Sequence, residues 1–141
     1  MPHCSAGDAA NAYHPVIQRH LRSEHWANAL HAGPVAARAM LGMPASFLDI
    51  PYFYTDQFDL SMELSGYAPL MADAHLVVRG DRGAREFVAF WLDGGRIVAG
   101  MNVNVRKVNK TVQALIRSGT IVDVDRLRDP SVPLESLLEA A

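Results

Sequence analysis

The sequence has very little cysteine, since Cys4 is the only one among 141 residues. A single thiol excludes an internal disulfide and a redox-active cysteine pair. It fits a reducing compartment, and we therefore predict a cytoplasmic protein. No apolar run approaches the roughly 18 residues of a membrane-spanning helix. The first residues also lack the basic start and apolar run of a signal peptide. We expect no membrane partner.

The sequence also has no large excess of positive or negative charge. The chain carries 13 Lys and Arg against 15 Asp and Glu, which gives a formal net charge of −2. Nucleic-acid-binding domains usually carry clustered Lys and Arg. The one local basic cluster here is Arg106, Lys107 and Lys110. We expect no nucleic-acid partner.

Several catalytic and cofactor motifs are absent from the sequence. The ten glycines never take the GxGxxG or GxxxxGK[ST] spacing, so the chain holds no complete dinucleotide-binding unit or P-loop. The six histidines show no metal-ligand spacing, and we predict no metal site. No nucleophile-elbow pattern supports Ser-His-Asp catalysis.

The first third of the chain is predicted to contain one helix. Residues 9–22 have the composition of a loop. Apolar residues then recur at spacings of three and four and predict a helix over 24–41, with Ser23 as N-cap and Gly42 as C-terminal stop. Pro34 is expected to kink or split this helix. Residues 43–51 form a linker.

The rest of the chain is predicted to be mainly strands. Residues 52–67 contain a period-two alternation with one apolar set, namely Phe58, Leu60, Met62 and Leu64. Further strands are predicted over 75–80, 85–92 and 96–103, the last two joined by the turn Asp93-Gly94-Gly95.

Helical segments follow these strands. A helix over about 105–118 is expected to be capped by Asn104 or a neighbour and closed by Gly119. Its buried face would be Val112, Leu115 and Ile116. Short helical turns are expected over 123–129 and 134–139. The fold class is α+β, an antiparallel sheet of about four or five strands with flanking helices.

Three short stretches could carry chemistry, and each also has a purely structural interpretation. Gly7 and Asp8 could place a carboxylate beside a ligand hydroxyl, or form an ordinary turn. A second set opens the predicted helix, where free N–H groups suit an anion or polarised carbonyl; its members are Glu24, His25, Trp26 and Ala29. His25 and Trp26 could equally serve packing alone. Tyr54 lies in an aromatic run that could contact a flat ring or simply start a strand.

Taken in order, these stretches resemble the FAD-dependent NAD(P)H:ferredoxin reductases of the pyridine-nucleotide oxidoreductase class. The matching segments are residues 6–8, 22–29, 40–42, 51–57, 87–92, 96–103 and 129–134. By this resemblance, residues 1–42 correspond to the last segment of an FAD domain and residues 51–141 to a C-terminal interface domain.

The resemblance also implies roles for individual residues. Asp8 would hydrogen-bond a ribitol hydroxyl of FAD. The backbone around Trp26 would face the pyrimidine end of the flavin, where a helix N-terminus suits negative charge. Tyr54 would lie beside the isoalloxazine, where many relatives carry Trp.

The implied activity belongs to a longer protein. Electrons would pass from NAD(P)H through FAD to a ferredoxin-type iron–sulfur protein serving a monooxygenase or dioxygenase. The FAD-binding glycine motif and the NAD domain of the family would precede Met1, so we expect this chain to begin partway through a larger fold and to be inactive alone. The alternative is a standalone docking or homodimerisation module without flavin, associating through the apolar face of helix 24–41.

Overall fold

The computed structural model describes residues 4–138. The chain divides into two compact units, Met1–Phe53 and Tyr54–Ala141, and each is described by itself. None of the helices within residues 4–138 is long and apolar enough to cross a membrane.

The first unit, unit 1, contains a two-stranded hairpin that the sequence did not predict. A 3₁₀ turn, Gly7–Ala9, precedes β1 (Asn11–His14), which pairs antiparallel with β2 (Arg19–Arg22). The prediction of a loop over residues 9–22 is therefore wrong. These strands have four residues each and are mostly exposed. Backbone pairing holds them, and so short a polar stretch shows no apolar alternation to detect.

The long helix of unit 1, α1, spans Trp26–Met40. His25 is its N-cap, so the prediction of Ser23 at this position is wrong. The carbonyl of Ser23 instead accepts a hydrogen bond from Asn28 Nδ2 at 2.7 Å. Gly42 follows the helix with φ +68°, a left-handed conformation suited to glycine, as predicted.

Pro34 lies inside α1, and the helix runs through it. The prediction of a split is wrong, because α1 is one continuous helix on both sides of Pro34. A proline lacks the N–H of one intrahelical hydrogen bond, and here that loss does not end the helix. None of the fifteen residues of α1 is buried. The helix therefore gains little from apolar burial within unit 1.

The second unit, unit 2, is built on an antiparallel sheet. Its strands are β3 (Tyr52–Gln57), β4 (Leu60–Gly66), β5 (His75–Asp81), β6 (Glu86–Asp93) and β7 (Arg96–Val103), in the order β3-β4-β7-β6-β5. The two-residue turn of Gly94 (φ +54°) and Gly95 (φ +78°) joins β6 to β7. Both central residues need positive φ in the turn type that matches strand twist, and two glycines supply it. The predicted α+β class with a sheet of four or five strands is confirmed.

Phe58 departs from the predicted alternation. It lies in the tip between β3 and β4 with φ +55°, and its side chain is fully exposed. The prediction that it shares the apolar face of Leu60, Met62 and Leu64 is wrong. A two-residue tip reverses the chain at this point, so the period-two pattern starts only at Leu60.

Helices pack against the strands of the sheet and complete the core. They are α2 (Ala68–Met71), α3 (Asn109–Ser118), α4 (Val124–Arg128) and a 3₁₀ turn, Leu134–Leu137. The predicted buried face of α3 is confirmed, since Val112, Leu115 and Ile116 are all buried. At Gly100 of β7 a Cβ would lie 2.5 Å from Val112 Cγ1, so glycine lets α3 approach the sheet. The predicted end of the last helical turn at Glu139 lies outside the described residues.

Asn104 does not cap α3, because that helix begins four residues later than predicted and its N-cap is Val108. Asn104 instead extends the β4–β7 pairing by one step. Its N–H donates to the Ser61 carbonyl at 2.8 Å, and its Oδ1 accepts from the Ser61 N–H at 2.8 Å. Its φ of +53° turns the chain away from the sheet. Gly119 ends α3 with φ +59°, as predicted.

Arg79 of β5 holds the C-terminal segment. Its guanidinium donates to the carbonyls of Leu127 (3.4 Å), Pro130 (3.1 Å) and Val132 (2.6 Å). Burial lowers the pKa of Arg79, and the charges of Asp129 and Glu135 oppose that shift. One side chain thus satisfies three carbonyls of a segment with little regular structure.

Candidate functional site

The 3₁₀ turn of unit 1 lies against the first turns of α1. Gly7 is buried there with φ +68°. A Cβ added to Gly7 would meet the Ala29 Cβ at 3.8 Å, an ordinary packing distance. Two of the predicted site residues are therefore neighbours, and glycine is favoured by the backbone conformation.

The N-terminus of α1 has no side-chain cap. His25 is extended (φ −129°, ψ +147°) and its side chain makes no capping hydrogen bond. At this end of the helix the Ala29 N–H donates to the His25 carbonyl at 3.1 Å. The N–H groups of the first turn thus lack a capping partner, and they carry the partial positive charge of a helix start.

Arg22 links Asp8 to Glu24 beside this helix start. Its Nε donates to the Asp8 carbonyl at 3.0 Å, and its Nη2 lies 2.8 Å from Glu24 Oε1. The ion pair is solvent-exposed and contributes little to stability. Its effect is to gather two carboxylate residues around the N-terminus of α1.

One ring contact and one exposed indole lie at this end of unit 1. The His25 ring stacks on Phe53, with centroids 4.6 Å apart and an angle of 20° between the planes. The adjacent Trp26 side chain is 71% exposed. A flat stacked pair and an exposed indole thus flank the uncapped helix start.

The structure brings six of the seven predicted residues into one unit. These are Gly7, Asp8, Glu24, His25, Trp26 and Ala29. The seventh, Tyr54, lies in β3, belongs to unit 2 and is 58% exposed. Sequence reasoning missed Arg22 and Phe53 as site residues. Both lie in the segments that carried the resemblance, but neither has a spacing that marks it.

Unit 2 contains a separate polar cleft of about 310 Å³. Arg106 and Lys107 line it together with Asp56 and Glu63. At its base Asn102 Nδ2 donates to Glu63 Oε2 (2.9 Å) and to the Val105 carbonyl (2.8 Å). Two members of the basic cluster noted in the sequence therefore share the cleft with carboxylates, and the cleft has mixed charge.

No group of three or more His, Cys, Asp and Glu side chains within residues 4–138 is arranged to hold a metal ion. The site around α1 offers backbone N–H groups, the carboxylates of Asp8 and Glu24, and aromatic surface instead. Such a set suits an organic ligand with carbonyl and hydroxyl groups.

Comparison with known proteins decides the family. The family described as "Reductase C-terminal" matches residues 52–138. The chain belongs to this family. The resemblance to the C-terminal portion of ferredoxin reductases is thereby confirmed.

Individual relatives agree with this family. The ferredoxin–NAD(+) reductase component of the anthranilate 1,2-dioxygenase system of Burkholderia cepacia is 34% identical over 135 residues, covering 95% of this chain and 33% of that protein. The ferredoxin reductase subunit of 5,5'-dehydrodivanillate O-demethylase from a Sphingobium species is 37% identical over 122 residues, covering 86% of this chain and 29% of that protein. This chain therefore spans about a third of the length of the curated relatives it matches.

A solved structure shows the same fold. The covalent complex of putidaredoxin reductase with putidaredoxin matches with a TM-score of 0.82 and 29% identity, over 96% of this chain and 32% of that chain. The match extends beyond residues 52–138, so that reductase has a counterpart of much of unit 1 as well.

Proposed function

We propose that this chain is the C-terminal part of a cytoplasmic flavoprotein oxidoreductase. The whole protein would transfer electrons from NAD(P)H through FAD to a ferredoxin-type iron–sulfur protein serving a monooxygenase or dioxygenase. The observation that carries the proposal is the uncapped start of α1, with Gly7, Asp8 and Ala29 beside it. Relatives that are ferredoxin reductase components of oxygenase systems support the reaction class.

The residues around α1 fit FAD. Trp26 would present its backbone N–H to a carbonyl at the pyrimidine end of the flavin, where reduction adds negative charge. Asp8, whose side chain is exposed, would accept a hydrogen bond from a ribitol hydroxyl. Tyr54 would contact the isoalloxazine. Bound FAD supplies the chemistry of accepting a hydride and releasing electrons singly.

The same proposal assigns the two parts of the chain. Residues 1–42 would be the last segment of an FAD domain, and residues 51–141 the C-terminal interface domain. This chain holds neither GxGxxG nor a complete nucleotide-binding unit. We therefore expect the isolated chain to lack NAD(P)H-dependent activity.

A chimera tests the proposal. The 135-residue segment of the anthranilate dioxygenase reductase component that aligns with this chain would be replaced by this chain. We expect the purified chimera to retain FAD and to reduce its ferredoxin with NADH. A folded chimera without FAD would contradict the proposal.

Two glycines allow a matched control in that chimera. Gly7 and Gly42 both have φ +68°, so Gly7→Ala and Gly42→Ala introduce similar backbone strain. Only Gly7 lies at the proposed flavin site. We expect Gly7→Ala to lower FAD retention and Gly42→Ala to preserve it. Equal losses in the two variants would show that strain, and not contact with FAD, explains the effect.

A second candidate function is a homodimerisation module without flavin. It is favoured by α1, which carries large exposed side chains at Trp26 (71%), Leu30 (50%) and Met40 (72%). Exposed apolar surface of this kind favours association. Sedimentation velocity of the chain without FAD separates the two candidates. A concentration-independent monomer would remove the dimer, whereas a stable dimer that binds no FAD would support it.

A further inference from the structure

Two polar residues near the start of α1 are of types that often cap a helix, and within residues 4–138 neither caps this one. Ser23 lies two positions before His25, the N-cap, and is only 8% exposed, and its Oγ makes no hydrogen bond. Asn28 is the third residue of the helix, where the side chain of a capping box accepts from the N-cap N–H. In α1 this side chain is instead used as a donor, because Asn28 Nδ2 donates to the Ser23 carbonyl at 2.7 Å.

The direction of the Asn28 hydrogen bond matters for this end of the helix. A carboxylate at the same position would accept from N–H groups and offset their partial positive charge. A neutral amide used as a donor does neither, so the N–H groups of the first turn remain available. The same bond ties down the chain that enters α1 through the extended His25 (φ −129°, ψ +147°). One side chain thus holds the backbone before the helix and leaves the helix start uncapped.

We infer that Asn28 is a positioning residue for the FAD site of the proposed function, on which this inference rests. It acts through the Ser23 carbonyl and not by contact with FAD. Its hydrogen bond holds the entering chain in the conformation that leaves the Trp26 N–H uncapped for a carbonyl of the flavin. The neutrality of the amide matters because reduction adds negative charge to that end of the flavin, and a carboxylate nearby would oppose it.

Two substitutions of Asn28 in the chimera separate positioning from charge. Asn28→Ala removes the bond to Ser23, so oxidised FAD should bind about fivefold more weakly than to the unsubstituted chimera. Asn28→Asp has the same shape as asparagine, removes the same bond and adds a negative charge. Oxidised FAD should bind the two variants equally, whereas reduced FAD should bind Asn28→Asp about tenfold more weakly than Asn28→Ala. For a two-electron couple this ratio places the midpoint potential of Asn28→Asp about 30 mV below that of Asn28→Ala.

The measurements are fluorimetric titration of oxidised FAD and anaerobic spectroelectrochemical titration of the bound flavin. A purely structural role of Asn28 would lower FAD affinity in both variants but leave their midpoint potentials equal, and that result would overturn the inference. Unchanged FAD affinity in Asn28→Ala would overturn it as well. If circular dichroism shows that Asn28→Asp is unfolded, the pair Asn28→Glu and Asn28→Gln, both good helix formers, decides by the same difference in potential.

Ala37→Asp is the control for added charge. Ala37 is exposed on the same helix and lies about 14 Å along the axis from residue 28, beyond the about 8 Å over which salt leaves surface charges unscreened. This variant should leave the midpoint potential unchanged, and a fall as large as that of Asn28→Asp would overturn the inference. A chimera that retains no FAD before any substitution would overturn the proposed function and this inference together. A chimera that retains FAD with equal potentials in all variants would overturn the inference alone.

Discussion

The role proposed for the α1 backbone predicts opposite results for two substitutions at one residue. In the chimera, Trp26→Pro removes the N–H of the first helical residue, whereas Trp26→Ala keeps it. Proline is well tolerated at this position of a helix. It also requires an extended preceding residue, and His25 already has φ −129° and ψ +147°. The proline variant should therefore lose one donor without losing the helix.

The expected size of the effect depends on the charge of the acceptor. A hydrogen bond to a neutral carbonyl contributes about 1 kcal/mol, or about fivefold in the dissociation constant of oxidised FAD. A bond to a charged acceptor contributes about 2 kcal/mol, or about thirtyfold for reduced FAD. Both variants lose the indole, which is largely exposed, so its contribution cancels in the comparison.

The assay is fluorimetric titration of FAD into the apo forms of both chimeras, repeated anaerobically with reduced FAD. Trp26→Ala should bind nearly as the parent does. Trp26→Pro should bind more weakly, and more so in the reduced state. Equal dissociation constants for the two variants in both states would refute the argument that this N–H faces the flavin.

Three other predictions concern stability. Amide exchange should be faster in unit 1 than in residues 85–103, because α1 buries no residue whereas β6 and β7 are interior strands of the sheet. Slower amide exchange in unit 1 would contradict this prediction. Arg79→Met should lower the free energy of unfolding in urea by about 2 kcal/mol through three lost carbonyl bonds, while Arg82→Met on the exposed turn should change it by less than about 0.5 kcal/mol. The side-chain hydrogen bond from Arg85 lowers the pKa of Asp59. The stabilisation from this pair is therefore present above the unfolded-state pKa of about 4, and it is lost as the pH falls through the lower folded pKa. The difference in Tm between wild type and Arg85→Met should accordingly become smaller on acidification. A difference in Tm that grows on acidification would refute the prediction.

Three strands of unit 2, β5, β6 and β7, could be predicted from the sequence because each was bounded by turn residues. Gly94 and Gly95 specify a tight hairpin, and the runs on either side became β6 and β7 with errors of at most one residue. Gly119 likewise marked the end of α3. These boundaries could be predicted because glycine is the residue that a tight turn or a helix end with positive φ favours.

Unit 1 was predicted less well, because weak local preferences decide its structure. Ser23 has the composition of an N-cap, yet α1 begins after His25, and the Ser23 carbonyl is used by Asn28 instead. The strands β1 and β2 lack apolar alternation, so only their pairing reveals them. The N-cap preference of Ser23 and the strand propensities of β1 and β2 are weak, and tertiary contacts decide the local structure instead.

The candidate site was predictable as a set of segments and not as a geometry. The resemblance selected the stretch around Trp26, and the structure places Gly7 beside Ala29 in the same unit. The bridging contacts of Arg22 and the stacking of His25 on Phe53 depend on side-chain directions, which a sequence does not specify. The assigned roles in FAD binding stay predictions.

The two hydrogen bonds between Asn104 and Ser61 also bear on how this fold tolerates changes in length. Because the side chain of Asn104 supplies the last partner that the sheet requires, the register of β4 and β7 is complete before the connection to α3 begins. Glycine at this position would keep the left-handed conformation but lose the acceptor, whereas valine or isoleucine would disfavour the conformation and lose the acceptor as well. Insertions and deletions between residues 106 and 108, after the Val105 carbonyl that Asn102 of β7 uses, should therefore leave the sheet unchanged, and this connection is where homologous chains can diverge in length at least cost.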